Sequence, residues 1–145
     1  MLIGIDTSFI VHFEIVESSA HQAARDWAAA SIKKQDRFGI SPQVLFEFVH
    51  VVTDPKRFSN PLSMDQALAR ALAWWNAAES KQLSFIGQSM ELFKKLMLEH
   101  QLGRKRVLDT ALAATFISQQ ISHVASYNWR DFAGLGNFTI YSPGE

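Results

Sequence analysis

Short apolar runs alternate along the chain with longer segments in which apolar residues recur every three or four positions. The short runs end at polar or turn-forming residues and are predicted as strands. They cover residues 2–5, 37–41, 82–86, 122–127 and 137–141. The longer segments are predicted as helices. They cover residues 7–16, 19–34, 42–52, 63–80, 89–102 and 107–120. Strands that alternate with helices predict an α/β sandwich around a mostly parallel sheet.

Local signals mark several of these boundaries. Pro42 lies at a favourable first helical position, and Ser63 with Gln66 has the pattern of a capping box. The serines at the start of the segment 19–34 are candidate helix caps. The turn-rich stretch TDPKRFSNP, residues 53–61, separates two predicted helices. Because no repeat, low-complexity tract or linker interrupts the pattern, we expect one domain over residues 1–145.

Composition narrows the class of protein. The chain has 145 residues, of which 48% are hydrophobic, so we expect a folded core and not a disordered chain. It has no cysteine, which excludes disulfides and thiolate metal sites. The histidines lack the spacing of a zinc motif. No apolar run reaches about 18 residues and no basic leader precedes the first strand, so we expect a cytoplasmic protein that does not enter a membrane.

The chain has 14 basic and 14 acidic residues, so its formal net charge is zero. This balance argues against a protein that coats nucleic acid nonspecifically. It is compatible with a nuclease, because an acidic metal pocket and a basic rim around it would cancel each other in the sum.

Asp6 directly follows the first apolar run, and its position has three interpretations. The strand simply ends there, because aspartate is a poor strand residue. Alternatively, Asp6 or Thr7 caps the helix that follows. In the third interpretation, the carboxylate serves a ligand site at the carboxyl end of a strand, where open α/β sheets bind ligands.

Further polar groups lie in apolar surroundings. Glu47 lies within VLFEFVHVV, Asp109 within RVLDTALAAT, and Asn128 and Asp131 within SYNWRDF. Each has a plain interpretation, such as a solvated helix face, a favourable charge at a helix start, or a turn. Together with Asp6 they predict an acidic pocket, which is unstable unless a cation neutralises it. Oxygen ligands of this kind suit Mg²⁺ or Mn²⁺.

These motifs, taken in order, resemble a known family. The series IDTSFI, VLFEFVHVVTDPKRFSNPLS, GRKRVLDTALAAT and ASYNWRDF is similar to the PIN domain and, within it, to the VapC-type toxins of bacterial toxin–antitoxin pairs. The resemblance covers essentially the whole chain. It implies a three-layer PIN fold and an Mg²⁺- or Mn²⁺-dependent endoribonuclease that leaves 5′-phosphate and 3′-hydroxyl ends. It also implies a homodimer and a cognate VapB-type antitoxin that covers the acidic pocket.

The resemblance also implies roles for individual residues. Asp6, Glu47 and Asp109 match the family's catalytic, metal-binding acids, and Thr7 and Ser8 match the hydroxyl residues beside the first acid. Many relatives carry an aspartate after the late strand. Here that position is Asn128, with Asp131 three residues further on, and either could supply the fourth metal ligand.

RNA that approaches an acidic pocket needs cations around it. The candidates lie next to the motifs above: Lys56, Arg57, Arg104, Lys105, Arg106 and Arg130. Trp129 either stacks on a base or packs over the edge of the sheet.

Two other classes of protein compete with this interpretation. Because the fourth acid is absent, a catalytically weak or inactive PIN-fold module that binds RNA or protein is the main alternative. A phosphoryl-transfer enzyme with Asp6 as nucleophile is the second, but its usual partner aspartate is replaced by Ser8. The chain contains neither a P-loop nor a dinucleotide-binding glycine motif.

Overall fold

The computed structural model describes residues 1–145 and contains one sheet and six α-helices. The strands are β1 (Leu2–Ile5), β2 (Arg37–Ile40), β3 (Ser80–Gln82), β4 (His123–Ala125) and β5 (Thr139–Tyr141). The helices are α1 (Thr7–Glu14), α2 (His21–Lys33), α3 (Pro42–Val52), α4 (Met64–Asn76), α5 (Gly87–Glu99) and α6 (Val107–Ser118). Two short 3₁₀ turns lie at Arg104–Arg106 and Trp129–Asp131.

The sheet has the order β3-β2-β1-β4-β5, and every neighbouring pair is parallel. From β1 the chain first adds strands on one side, through β2 and β3, and then crosses to the other side at β4. Because parallel crossovers are right-handed, α1–α4 cover one face and α5–α6 the opposite face. The helix contacts agree, since α1 packs on α2 and α3, and α5 packs on α6. The predicted three-layer α/β sandwich is confirmed.

Buried apolar side chains form a core on both faces of the sheet. On one face, the Trp27 ring meets Phe9 edge-on at 5.3 Å and stacks against Phe38 at 6.2 Å. On the other face, Phe116 of α6 stacks against Phe132 at 6.1 Å. Helix α6 is apolar around most of its circumference because it is buried between the sheet and α5. No helix combines the length and the apolar character that crossing a membrane requires.

The predicted caps of two helices are confirmed. Pro42 begins α3 after a cap at Ser41, whose hydroxyl accepts from the backbone N–H of Gln43. Ser63 and Gln66 form the reciprocal capping box that begins α4, with bonds of 3.2 and 3.0 Å. Both helices therefore begin where their sequence signals indicate.

Other element ends differ from the predictions. The helix predicted over 19–34 begins at His21 after Ala20, whose side chain cannot cap it. The preceding serine Ser18 is instead engaged by the His12 ring, which holds the loop between α1 and α2. The helix predicted over 7–16 ends at Glu14, since Ile15 has extended backbone angles.

The largest difference concerns α4 and the edge strand after it. The helix predicted over 63–80 ends at Asn76, because Ala77 is extended and the chain then pairs with β2. The strand predicted over 82–86 is therefore β3 at Ser80–Gln82. Helix α5 spans Gly87–Glu99 instead of the predicted 89–102, and α6 ends at Ser118 instead of 120. Strand pairing, which a local pattern does not contain, sets the bounds of β3.

Gly4 in β1 marks a close approach between the sheet and α6. A Cβ atom at this position would lie 2.8–3.0 Å from the ring carbons of Phe116. Phe116 has no exposed surface and cannot move without displacing Phe132. The absence of a side chain at Gly4 therefore fixes how closely α6 lies on β1.

We expect Gly4→Ala to lower the free energy of unfolding by about 1–3 kcal/mol, the usual cost of overpacking a core. Chemical denaturation measures this loss. Gly87→Ala is the matched control, because no atom lies within 4 Å of a Cβ at that helix position. Equal losses in the two variants would contradict the close packing of α6 on β1.

Candidate active site

The sheet brings two chain segments together at the carboxyl ends of β1 and β4. Ile5 is in register with Ala125, and the backbone N–H of Asp6 donates to the Ala125 carbonyl at 3.1 Å. Asp6 and Ser126 thus follow paired strand ends. This is the point at which the strand order reverses, the usual location of ligand sites in open α/β sheets.

A cavity of about 250 Å³ opens at this point. It is lined mainly by polar residues from α1, α3, α6 and the turn after β4. Its lining consists of Asp6, Thr7, Ser8, Val11, His12, Glu47, Val51, Arg57, Asp109, Asn128 and Asp131. The structure therefore gathers the five predicted metal ligands, the two hydroxyl residues beside Asp6 and one predicted cation around one space.

The carboxylate of Asp6 is the most buried of these acids, with 7% of the residue exposed. Its Oδ1 accepts from the Thr7 backbone N–H at 2.8 Å, which caps α1. Its Oδ2 accepts from the hydroxyls of Ser8 at 2.9 Å and Ser126 at 2.6 Å. Burial raises the pKa of Asp6, and these three hydrogen bonds oppose that rise without cancelling it.

Two serines join Asp6 to the turn after β4. The Ser8 hydroxyl accepts from the backbone N–H of Tyr127 at 2.9 Å, and the Ser126 hydroxyl accepts from that of Asn128 at 2.9 Å. Each serine therefore donates to the carboxylate and accepts from the turn. This arrangement fixes the carboxylate rotamer and the start of the turn together.

Glu47 faces the cavity from α3 and is held by two donors. The Thr7 hydroxyl donates to Oε2 at 2.9 Å, and Gln43 Nε2 donates to Oε1 at 3.1 Å. The same Gln43 nitrogen donates to the Leu108 carbonyl at 2.8 Å. Gln43 therefore connects Glu47 to the first turn of α6, directly beside Asp109.

Asp109 faces the cavity from the first turn of α6, and its carboxylate accepts no hydrogen bond. Its closest cation is Arg106, with Nε 3.8 Å from Oδ2. Burial raises the pKa of Asp109 to about 6; the charge of Asp131 adds to the rise and Arg106 opposes it. A carboxylate with this pKa is mostly ionised at neutral pH and neutral below pH 6, and a nearby cation would favour the ionised form.

The turn after β4 supplies both candidates for the fourth position. Asn128 and Asp131 line the same cavity, and burial raises the pKa of Asp131 while Arg106 lowers it. Arg106 Nη2 also donates to the Asp131 backbone carbonyl at 3.0 Å. One arginine therefore contacts both the α6 start and this turn.

The remaining predicted cations divide into two groups. Arg57 lines the cavity while its Nε lies 3.4 Å from Asp54. Lys56, Arg104, Lys105 and Arg130 are exposed and do not line it. Of these four, Arg130 lines an adjoining cavity and lies over the Trp129 ring.

Whether these residues fit a metal ion depends on their donor chemistry and charge. As placed, no group of three acidic or imidazole side chains is arranged so that it could hold an ion. Mg²⁺ in proteins, however, is usually held by one or two carboxylates, with waters and substrate phosphates completing its shell. The cavity offers oxygen donors, and its most buried carboxylate, Asp6, has no ion-pair partner. The residues therefore fit a hard dication bound through one or two carboxylates.

The sequence predictions did not include Gln43 and Ser126, which hydrogen-bond to the acids, or Val11, His12 and Val51, which also line the cavity. Gln43 lies four residues before Glu47, a spacing that places both on one helix face and could have indicated the contact. Ser126 follows β4 as Asp6 follows β1, but only the strand pairing shows that the two residues meet.

Comparisons with known proteins agree with this architecture. A family model described as the PIN domain matches residues 3–136. No curated protein matches the sequence. Among solved structures, the VapC20 toxin of Mycobacterium tuberculosis, described as cleaving the sarcin-ricin loop, is 16% identical, with a TM-score of 0.67. The match covers 93% of this chain and 97% of that toxin.

Two similar structures contain VapBC proteins. VapBC2 from Rickettsia felis, bound to a DNA fragment from their promoter, is 16% identical with a TM-score of 0.70, covering 97% of this chain and 98% of that chain. VapBC-1 from nontypeable Haemophilus influenzae is 15% identical with a TM-score of 0.66, covering 98% of each chain. At such identities the structures show a common fold. Because the family model spans nearly the whole sequence, this chain belongs to the PIN domain family.

Proposed function

We propose that this chain, acting as a single domain over residues 1–145, is a divalent-metal-dependent endoribonuclease and the toxin of a VapBC-type toxin–antitoxin pair. The observation that carries the proposal is the convergence of Asp6, Glu47, Asp109 and Asp131 on one cavity of a PIN fold. Three of these positions match the acids expected from the family resemblance. The whole-chain similarity to VapC20 and VapBC proteins supports the toxin assignment.

Mg²⁺ or Mn²⁺ would be held by Asp6 and Asp109, with Glu47, Asn128 and Asp131 as further oxygen donors. Asp6 has already used three of its roughly four lone-pair sites, so it can contribute one oxygen. Asp109 accepts no hydrogen bond, and its one ion pair, to Arg106, is long at 3.8 Å, so an ion could compete for its oxygens. A bound dication supplies a more acidic water and polarises the scissile phosphate.

The protein's own residues position the nucleophile. Glu47 retains unused lone pairs on both oxygens and can take the proton of the attacking water. The water oxygen bonds to phosphorus, the bond to the 3′ oxygen breaks, and the leaving oxygen takes a proton from solvent water. The products are a 5′-phosphate and a 3′-hydroxyl, and the 2′-hydroxyl takes no part. Arg57, Arg106 and the exposed cations nearby attract the RNA backbone.

The partners of this chain are proposed to be RNA, a VapB-type antitoxin and a second copy of the chain, in the cytoplasm. An apolar groove of about 320 Å³ between α3 and α4 supports a protein partner. Phe46 stands in it with 73% of its surface exposed, and Leu68, Leu72 and Trp75 form the opposite wall. Exposed apolar surface of this kind suits a partner helix.

The alternative function is a PIN-fold RNA- or protein-binding module with weak or no catalysis. Two observations favour it. Asn128 stands where the family resemblance implies an acid, and the side chains as placed form no three-ligand metal group. A measurement of metal-dependent RNA cleavage distinguishes the nuclease from the binding module.

We expect the protein to cleave RNA with Mg²⁺ or Mn²⁺ and not with chelator. Asp6→Asn and Asp109→Asn should each reduce the rate by more than about 100-fold, since even outer-shell changes cost 10–100-fold at metal sites. Gel assays of total RNA, followed by mapping of the ends, measure both rate and chemistry. Asp65→Asn, on an exposed helix start, is the control. Cleavage that survives chelation, or a 2′,3′-cyclic phosphate end, contradicts the mechanism.

Metal affinity should depend on pH through Asp109. Its pKa of about 6 lies above the ordinary value of 3.8, so in the metal-free fold the neutral acid is favoured below that pH. The neutral Asp109 stabilises the metal-free fold at low pH, and this contribution to the free energy of unfolding is lost as pH rises from about 4 to 6. A bound metal ion would then neutralise the charge of the ionised carboxylate. Calorimetric titration with Mn²⁺ should show affinity rising through pH 6 and levelling above it. Affinity that is constant from pH 5 to 8, or the same rise in Asp109→Asn, would count against this role.

Gln43 should position Glu47 against the start of α6. We expect Gln43→Ala to reduce the cleavage rate roughly 10-fold, as for outer-shell groups, while the free energy of unfolding falls by only about 0.5–1.5 kcal/mol. Gln22→Ala is a matched control, because Gln22 makes the same i,i+4 bond to a carboxylate, Asp26, away from the cavity. A comparable loss of activity in both variants would show that the bond to Glu47 has no special role.

A further inference from the structure

Trp129 is a large aromatic residue that the core does not use. Half of it, 51%, is exposed, whereas Trp74 is buried and donates through Nε1 to Glu14 at 2.9 Å. The Trp129 ring has no aromatic neighbour, and its Nε1 donates to no protein atom. The second interpretation of Trp129, packing over the edge of the sheet, therefore does not account for its placement.

The backbone that carries Trp129 is fixed at both ends. Before it, the Asn128 N–H donates to the buried Ser126 hydroxyl at 2.9 Å. After it, Phe132 is buried against Phe116, and Arg106 donates to the Asp131 carbonyl at 3.0 Å. The indole is thus presented to solvent by an ordered turn. A ligand that meets a pre-ordered group loses less entropy on binding.

Trp129 also lines a cavity of about 280 Å³. It is lined by Tyr127, Asn128, Trp129, Arg130 and Asp131, which we call the Trp129 shelf. Asn128 and Asp131 also line the catalytic cavity, so the two spaces adjoin. RNA whose scissile phosphate enters the catalytic cavity must place a neighbouring nucleotide near the shelf.

The chemistry of the shelf matches a nucleobase. The Arg130 guanidinium lies 5.4 Å from the centre of the Trp129 ring, a cation–π contact that keeps the cation beside the aromatic face. Indole and guanidinium planes both stack on bases, and the guanidinium can also contact a phosphate. An apolar peptide would not use this cation.

We propose that the Trp129 shelf is a nucleobase-binding subsite, in which Trp129 stacks on an unpaired base next to the scissile phosphate and Arg130 supports it. This inference rests on the proposed RNA substrate. Every base has a stacking face, and a base within a duplex is not free to enter the shelf. The subsite therefore selects single-stranded RNA over duplex RNA and tolerates different sequences.

Binding without cleavage is the first test. Fluorescence polarisation with a labelled 12-nucleotide oligoadenylate, in chelator, should give a dissociation constant roughly 5- to 150-fold higher for Trp129→Ala, the range expected for one stacked base. Trp129→Phe should remain close to wild type because it keeps a ring. Phe85→Ala, which removes an exposed aromatic residue outside both cavities, should have no effect. Equal affinity of wild type and Trp129→Ala overturns the proposal.

Cleavage separates this inference from the proposed function. In a single-stranded substrate with one abasic residue beside the cleavage site, wild type should slow to the rate of Trp129→Ala, and the variant should lose nothing further. If wild type cleaves no RNA, the proposed function fails, while the binding measurement still decides the shelf. If Trp129→Ala keeps its RNA affinity but no longer binds a co-expressed antitoxin, the shelf is a protein-docking surface and the proposal is wrong.

Discussion

The burial of the Asp6 carboxylate without a cationic partner is the constraint on which the site depends. Three hydrogen bonds hold this group where water is largely excluded, and its pKa is raised all the same. Ionising it there costs free energy, and Asp109 and Asp131, both with raised pKa values, share the cavity. A dication lowers the electrostatic energy of these groups together. The metal-free fold thus stores a charge imbalance that a bound ion would relieve.

Parallel strand order produces this concentration of charge. In an open sheet the residues after β1 and β4 meet at one edge, so Asp6 and Ser126, 120 positions apart, come within 2.6 Å. Helices α3 and α6 then add acids from either side of the sheet. Gln43 ties these two helices together through Glu47 and the Leu108 carbonyl. The contact between Gly4 and Phe116 fixes the distance between the sheet and α6. This distance therefore also affects where Asp109 of α6 lies relative to Asp6.

The sequence predicts the layers of the fold and the main acids, because both have strong local signals. Asp6, Glu47 and Asp109 stand out as carboxylates in apolar segments, Asp6 and Asp109 next to predicted element ends and Glu47 within a predicted helix. Element ends set by pairing, such as that between α4 and β3, have no comparable signal, since β2 determines where β3 begins. Ser126 has no local signal because its partner Asp6 is 120 positions away, whereas Gln43 has only the four-residue spacing to Glu47, which many helical pairs share. The roles of these residues in metal binding and catalysis remain predictions.

The zero net charge, from 14 basic and 14 acidic residues, conceals a local separation of the two signs around the cavity. Asp6, Glu47, Asp109 and Asp131 line the cavity, whereas Arg104, Lys105 and Arg130 are exposed and do not line it. In the proposed nuclease, these exposed cations would attract the RNA phosphates and offset their repulsion by the carboxylates. Arg106 lies between these regions and contacts both Asp109 and the turn that carries Trp129. Arg106 thereby connects the acidic cavity to the Trp129 shelf. A change in the charge of Asp109 is therefore expected to alter the position of the turn that carries Trp129.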